Sequence, residues 1–210
     1  MRLFVYHYNL NMCVINLLNL CNHHNIILKY HHQQYFLQNK NILKKICKGI
    51  KIKNFHGLAI DSREVKKNNL FITIKGKQND GNKFISSALK KGAKYVVSSM
   101  KNKQHDKKMI IVKNEIKFLN KFASEKRENT YAKIIAITGS AGKTSLKNLI
   151  KNLLQKYGST LSSPKSYNNY LGVPLSLSQL HVKHKYAVFE VGMSKAGEIN
   201  TLSSIISPEI

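Results

Sequence analysis

The apolar, largely β-branched run from Ile134 to Thr138 leads directly into Gly139-Ser140-Ala141-Gly142-Lys143-Thr144-Ser145, and this junction constrains the fold more than any other stretch. A strand apolar at every position is buried on both faces, as in a parallel sheet covered by helices. The glycines let backbone N–H groups close around an anion with no side chain in the way. A helix is predicted from about Lys143 to Tyr157, stopped by Gly158, and its N-terminus adds partial positive charge to the loop. The sequence continues with a polar loop (Pro164 to Tyr170), a helix opened by Pro174 (Val173 to Leu180) and a second buried strand (Tyr186 to Val191). That order is the βαβ grammar of a nucleotide-binding sheet.

Thr138 to Ser145 therefore reads as an ATP-type phosphate loop. Lys143 is positioned to reach β/γ-phosphates, and the Thr144 hydroxyl to bind Mg²⁺. The general pattern wants Gly at position 137, where this chain has Ile, so the motif is missed by one position while its strand–loop–helix setting is complete. Glu190 lies near the end of the next buried strand, where a carboxylate must find a partner. It is read either as a second Mg²⁺ ligand or as a salt-bridged strand-end acid. Asn168-Asn169 are read as turn asparagines or as amides over the phosphate site. Glu198 reads as a helix-start acid.

Upstream, short strands are predicted at Leu58 to Ile60, Leu70 to Ile74, Tyr95 to Ser98 and Met109 to Val112, with helices at Phe84 to Lys91 and Glu115 to Glu128. Lys126 to Tyr131 reads as a polar link between two units. The expected division is an extension without a fold of its own (1–40), a small α/β domain (41–130) and a P-loop parallel-sheet domain (131–210).

Charge is lopsided, with 35 Lys+Arg against 10 Asp+Glu and a net charge of +25. The lysines are scattered among Asn and Ile rather than gathered in Arg-rich blocks, so a solvated basic surface is expected and no nucleic-acid partner. The first 60 residues hold no Asp, Glu or Ser. The apolar run Met12 to Leu20 is short and broken by asparagines, so no membrane span is expected. No secretory or transit signal is visible there. His23-His24 and His31-His32 lack regular metal spacing, and Cys13, Cys21 and Cys47 read as free thiols of a reducing cytoplasm.

Three ordered segments together resemble the Mur ligases: Ile-Thr-Gly-Ser-Ala-Gly-Lys-Thr (137–144), Asn-Asn-Tyr-Leu-Gly-Val-Pro-Leu (168–175) and Phe-Glu-Val-Gly-Met-Ser-Lys-Ala-Gly-Glu-Ile (189–199). Upstream, Asp61-Ser62-Arg63, Asn69-Leu70-Phe71-Ile72 with Gly76, and Asp80-Gly81 through Phe84-Ile85 to Gly92-Ala93 are similar to that family's UDP-substrate domain. The phosphate loop and the Gly-Val-Pro-Leu run are most like the branch that adds D-alanyl-D-alanine to a UDP-MurNAc-tripeptide. The alternatives are the branch adding a diamino acid or lysine, and a non-catalytic nucleotide- or UDP-sugar-binding remnant.

The resemblance implies an α/β fold and an ATP- and Mg²⁺-dependent peptide ligase of cell-wall precursor synthesis. Such an enzyme is a bacterial, cytoplasmic monomer working through an acyl phosphate. It implies Thr144 and Glu190 as metal contacts, Asn168 or Asn169 as an active-site amide, and Ser62 and Arg63 in the UDP-sugar pocket. It assigns Lys143, Glu190 and Asn169 to catalysis and Asn168 and Asn169 to substrate. Ser194 departs from the Asn of many relatives. Because the family pattern runs on past Ile210, the ATPase domain is expected to be truncated and the chain inactive alone.

Overall fold

The structure is a computed structural model and describes residues 34–47, 53–76, 79–193 and 195–210. The two histidine pairs, Cys13, Cys21 and Ser194 lie outside the described residues; Cys47 is a half-buried free thiol. Two separate parallel sheets organise the rest.

The first sheet contains β1 (Leu58–Ala59), β2 (Leu70–Ile72), β3 (Tyr95–Ser98) and β4 (Met109–Ile111), in that order and all parallel. Helix α1, over residues 34–46, packs Ile42 and Leu43 against it, and Asn39 donates to the His56 carbonyl at 2.7 Å. Residues 34–40 are thus helical, where the sequence reading placed them in an extension without a fold of its own. The sequence signal was weak there because α1 is rich in Asn, Gln and Lys. A 3₁₀ turn at Ser62–Glu64 follows β1, and a second at Gly81–Phe84 precedes α2 (Ile85–Lys90). Gly81 has no alternative: a Cβ there would lie 2.8 Å from the Ile74 nitrogen.

Helix α3 (Glu115–Glu128) starts on the Asn114 side chain, which accepts from the Lys117 N–H at 2.8 Å. It belongs to both cores. Phe118, Leu119 and Phe122 pack under the first sheet, while Ala123 joins the core of the second. The expected polar link does not begin at Lys126. That residue is still helical and fully buried, with Nζ donating to Gln38 Oε1 at 3.0 Å and lying 4.4 Å from the centre of the Tyr35 ring. A lysine stem is apolar enough to be packed this way, which composition alone does not reveal.

The second sheet runs β5 (Lys133–Ile137), β7 (Tyr186–Glu190), β6 (Thr160–Ser162), all parallel. Helix α4 (Lys143–Leu154) joins β5 to β6, and α5 (Gly172–Leu177) precedes β7. Helix α6 (Glu198–Ile206) follows, closing the second core with Leu202 and Ile206. The central strand β7 is buried from Ala187 through Glu190. Its register sets Ile137 opposite Glu190, so the last residue of β5 and the carboxylate of β7 emerge side by side at the same sheet edge.

Candidate phosphate and metal site

The loop between β5 and α4 opens at that edge. Gly139 and Gly142 adopt φ of +147° and +76°, conformations a side chain would strain. Thr138 through Gly142 are exposed, and a Cβ built on Gly142 meets nothing within 4 Å. Ser145, in the first turn of the helix, is also exposed. The Lys143 Nζ folds back over the loop and donates to the Gly139 carbonyl at 2.5 Å. An ammonium on a flexible stem can exchange such carbonyls for phosphate oxygens.

Glu190 sits beneath the loop at 2% exposure. One oxygen accepts from Thr144 Oγ1 at 2.8 Å and from Lys147 Nζ at 3.4 Å, the other from Asn168 Nδ2 at 2.8 Å. Its own N–H donates to Ser163 Oγ at 3.2 Å. Burial pushes the carboxyl pKa up, but the Asn168 and Thr144 hydrogen bonds and the Lys147 charge outweigh it, and the net shift is downward. The group is an ionised carboxylate touching a threonine hydroxyl, a pair of hard oxygens of the kind Mg²⁺ selects. The oxygen pair and the open glycine loop fit a nucleotide phosphate with its metal ion.

The two asparagines separate. Asn168 faces Glu190. Asn169 turns away, its Oδ1 accepting from the N–H groups of Leu171 at 3.1 Å and Gly172 at 2.8 Å. Asn169 instead lines a cleft of about 550 Å³ that also takes in Ser62, Arg63, Phe71, Phe84 and Tyr167. The structure therefore joins Asn168, Thr144 and Glu190 in one cluster and places Ser62, Arg63 and Asn169 in another. Arg63 is held bidentately by Asp61, at 2.7 Å through Nη2 and 3.0 Å through Nε. A larger cleft of about 890 Å³ along the same seam contains neither Glu190 nor any residue of the phosphate loop, so volume alone does not locate the chemistry.

Sequence reasoning missed Lys147, buried at 2% exposure, which donates to the Lys165 carbonyl at 2.6 Å as well as to Glu190. A signal was present: position 147 lies three and four residues after Thr144 and Lys143, hence on the same helix face. Among the described residues no group of three or more His, Cys, Asp or Glu side chains forms a metal site, and no helix is long and apolar enough to cross a membrane.

Residues 54–141 match the profile of the Mur ligase family catalytic domain, and residues 137–210 that of the Mur ligase middle domain. A UDP-N-acetylmuramoyl-tripeptide–D-alanyl-D-alanine ligase of Rickettsia prowazekii is 43% identical over 169 residues, covering 79% of this chain and 37% of that protein. The ligase of the same name from Buchnera aphidicola subsp. Acyrthosiphon pisum is 42% identical over 153 residues, covering 73% and 33%. The chain thus spans about a third of the length of the curated relatives it matches. Among solved structures, MurF from Acinetobacter baumannii superposes with a TM-score of 0.72 at 28% identity, over 80% of this chain and 38% of that one. MurF ligase from Thermotoga maritima, in complex with ADP, gives 0.63 at 32% identity, over 72% and 35%.

Proposed function

We propose, for a chain that belongs to the Mur ligase family through residues 54–210, that it provides the ATP-phosphate site and the UDP-substrate cleft of a ligase joining D-alanyl-D-alanine to UDP-MurNAc-tripeptide. The observation that carries the reading is the 2.8 Å contact of Thr144 Oγ1 with Glu190 Oε2, which brings the helix of the loop and the tip of β7 to one point. Backbone N–H groups of residues 139–144 cradle the phosphates, and Lys143 leaves the Gly139 carbonyl to meet the β/γ-oxygens. Thr144 and Glu190 would hold Mg²⁺, which when bound neutralises charge on the transferring phosphoryl group. Asn168 and Lys147 keep the Glu190 carboxylate oriented and ionised.

In the reaction so assembled, a carboxylate oxygen of the tripeptide attacks the γ-phosphorus and ADP leaves. The amine of D-alanyl-D-alanine then adds to the acyl phosphate carbon and expels inorganic phosphate. Ser62, Arg63 and Asn169 line the cleft proposed for the UDP-sugar. The contribution of this chain is electrostatic and positional.

Calorimetric titration of the 210-residue protein with ATP, with and without Mg²⁺, tests the reading. Binding is expected to need Mg²⁺ for full affinity and to weaken at least about tenfold in Lys143→Ala, the value of a charge-assisted hydrogen bond. Equal affinity in wild type and Lys143→Ala would contradict it.

A further inference from the structure

One short segment, residues 164–169, connects the phosphate site to the first sheet, and it is fixed from several sides. Lys165 has φ +50°, a left-handed conformation that persists only where surroundings over-determine it. Its carbonyl takes the buried Lys147 Nζ at 2.6 Å. Asn168 grips Glu190 through its side chain and takes the Gly192 N–H on its carbonyl at 2.7 Å. Behind the segment, a Cβ on Gly172 would come within 2.8 Å of the Tyr167 backbone, so the loop is pressed against α5.

The remaining hold comes from the other sheet. Glu64 ends the 3₁₀ turn that carries Ser62 and Arg63. Its carboxylate accepts from Lys165 Nζ at 3.0 Å and from Tyr167 Oη at 2.9 Å. Those two hydrogen bonds, Lys165 first, hold the Glu64 carboxyl below its usual range, so the clamp is ionic at neutral pH. The segment faces both sites: Ser166, Tyr167 and Asn169 line the 550 Å³ cleft, while Asn168 faces the metal carboxylate.

We infer that Glu64 is a positioning residue that couples occupancy of the cleft at Ser62 and Arg63 to the Glu190 carboxylate, so that ligands of the two sites bind cooperatively. The inference rests on the reading of those sites given above. A ligand filling the cleft bears on Tyr167 and Asn169 and favours the pinned arrangement, in which Asn168 already holds Glu190 in place. By linkage, a nucleotide that needs Glu190 so placed favours the cleft ligand by the same factor. The clamp is exposed and contributes little to stability by itself. Its effect is on geometry.

The test is calorimetry on the whole chain with Mg²⁺ and a non-hydrolysable ATP analogue, with and without saturating UDP-MurNAc-tripeptide. Wild type is expected to bind the analogue at least about fivefold more tightly when the second ligand is present, the lower range of measured couplings. In Glu64→Ala each ligand alone is expected to bind within about twofold of wild type, with an almost unchanged melting temperature, as for loss of an exposed ion pair. The ratio between the two titrations should fall to about one, a change no purely structural role produces. Glu64→Gln keeps one acceptor oxygen for Lys165, and its amide NH2 can donate to the Tyr167 hydroxyl oxygen, so it should restore part of the ratio. Two ligands that bind wild type independently, or coupling that survives in Glu64→Ala, would overturn the inference while leaving the functional reading intact. A folded wild type that binds neither ligand would remove both.

Discussion

Glu190 and Lys147 are both almost fully buried, and each supplies the other's opposite charge. Removing one partner of such a pair leaves an uncompensated buried charge, at a cost of about 3–5 kcal/mol. Lys147→Met should therefore be destabilising by about that amount in urea denaturation, and the double variant Lys147→Met/Glu190→Gln markedly less so. Because the folded Glu190 carboxyl has a depressed pKa, its contribution is present above the ordinary carboxylate range and is lost as pH falls through the depressed value. Lys126 behaves oppositely. Burial lowers its ammonium to about 7 from an ordinary 10.5, so between those values the unfolded chain carries a proton that the folded chain lacks. Stability from this group thus rises with pH across that window and is smallest below it. Subtracting the pH–stability profile of Lys126→Met from that of wild type should show this rise; a flat difference would place Lys126 in solvent.

These residues also show what a sequence reveals. Thr144 and Glu190 were conspicuous because each is an unusual residue type for its place, a hydroxyl after a Gly-Lys pair and a carboxylate in an apolar strand. Lys147 was not, because a lysine amid Lys143 and Lys151 looks like a solvated helix face until β7 is set beside it. The separation of Asn168 from Asn169 was equally hidden, since adjacent loop residues carry no periodicity that assigns them to sides.

At the level of elements, α3 was legible from its apolar stripe, although its last turn from Lys126 also read as a polar link. Truncating its N-cap with Asn114→Ala should destabilise the protein by about 1 kcal/mol in chemical denaturation. Where local signals disagreed, the reading slipped. Phe84 ends a 3₁₀ turn instead of opening the helix, because the Asp80 side chain caps the Asn82 N–H and starts the turn early. β6 went unseen, being three residues without a β-branched run beyond Thr160. It exists because β7, already paired on one side with β5, offers its other edge. Gly172→Ala makes the corresponding prediction for α5. With a Cβ colliding with the Tyr167 backbone, the 164–169 segment must shift, and Mg²⁺–ATP affinity should fall along with the melting temperature.

For the molecule as a whole, a net charge of +25 on 210 residues is a self-repulsion that the fold must withstand. Raising ionic strength from about 0.01 M to about 0.15 M shortens the screening length from about 30 to about 8 Å, so the melting temperature should rise over that interval. A fall would mean that surface ion pairs such as Glu64–Lys165 outweigh the repulsion. The two-sheet plan was legible from hydrophobic periodicity. The dependence of the sheets on each other was not, since it runs through long-range contacts of single side chains, such as Arg127 donating to the Ser207 carbonyl at 2.8 Å and Glu64 reaching Lys165. The central claim is that Thr144 and Glu190 face the metal of a nucleotide whose phosphates lie in the 139–144 loop. A crystal structure of the chain with Mg²⁺ and a non-hydrolysable ATP analogue tests it most directly. Phosphate density is expected against the N–H groups of that loop, with Lys143 Nζ withdrawn from the Gly139 carbonyl onto phosphate oxygens and metal density between Thr144 Oγ1 and Glu190. Phosphates bound elsewhere, or Glu190 still hydrogen-bonded to Thr144 with no metal between them, would contradict it.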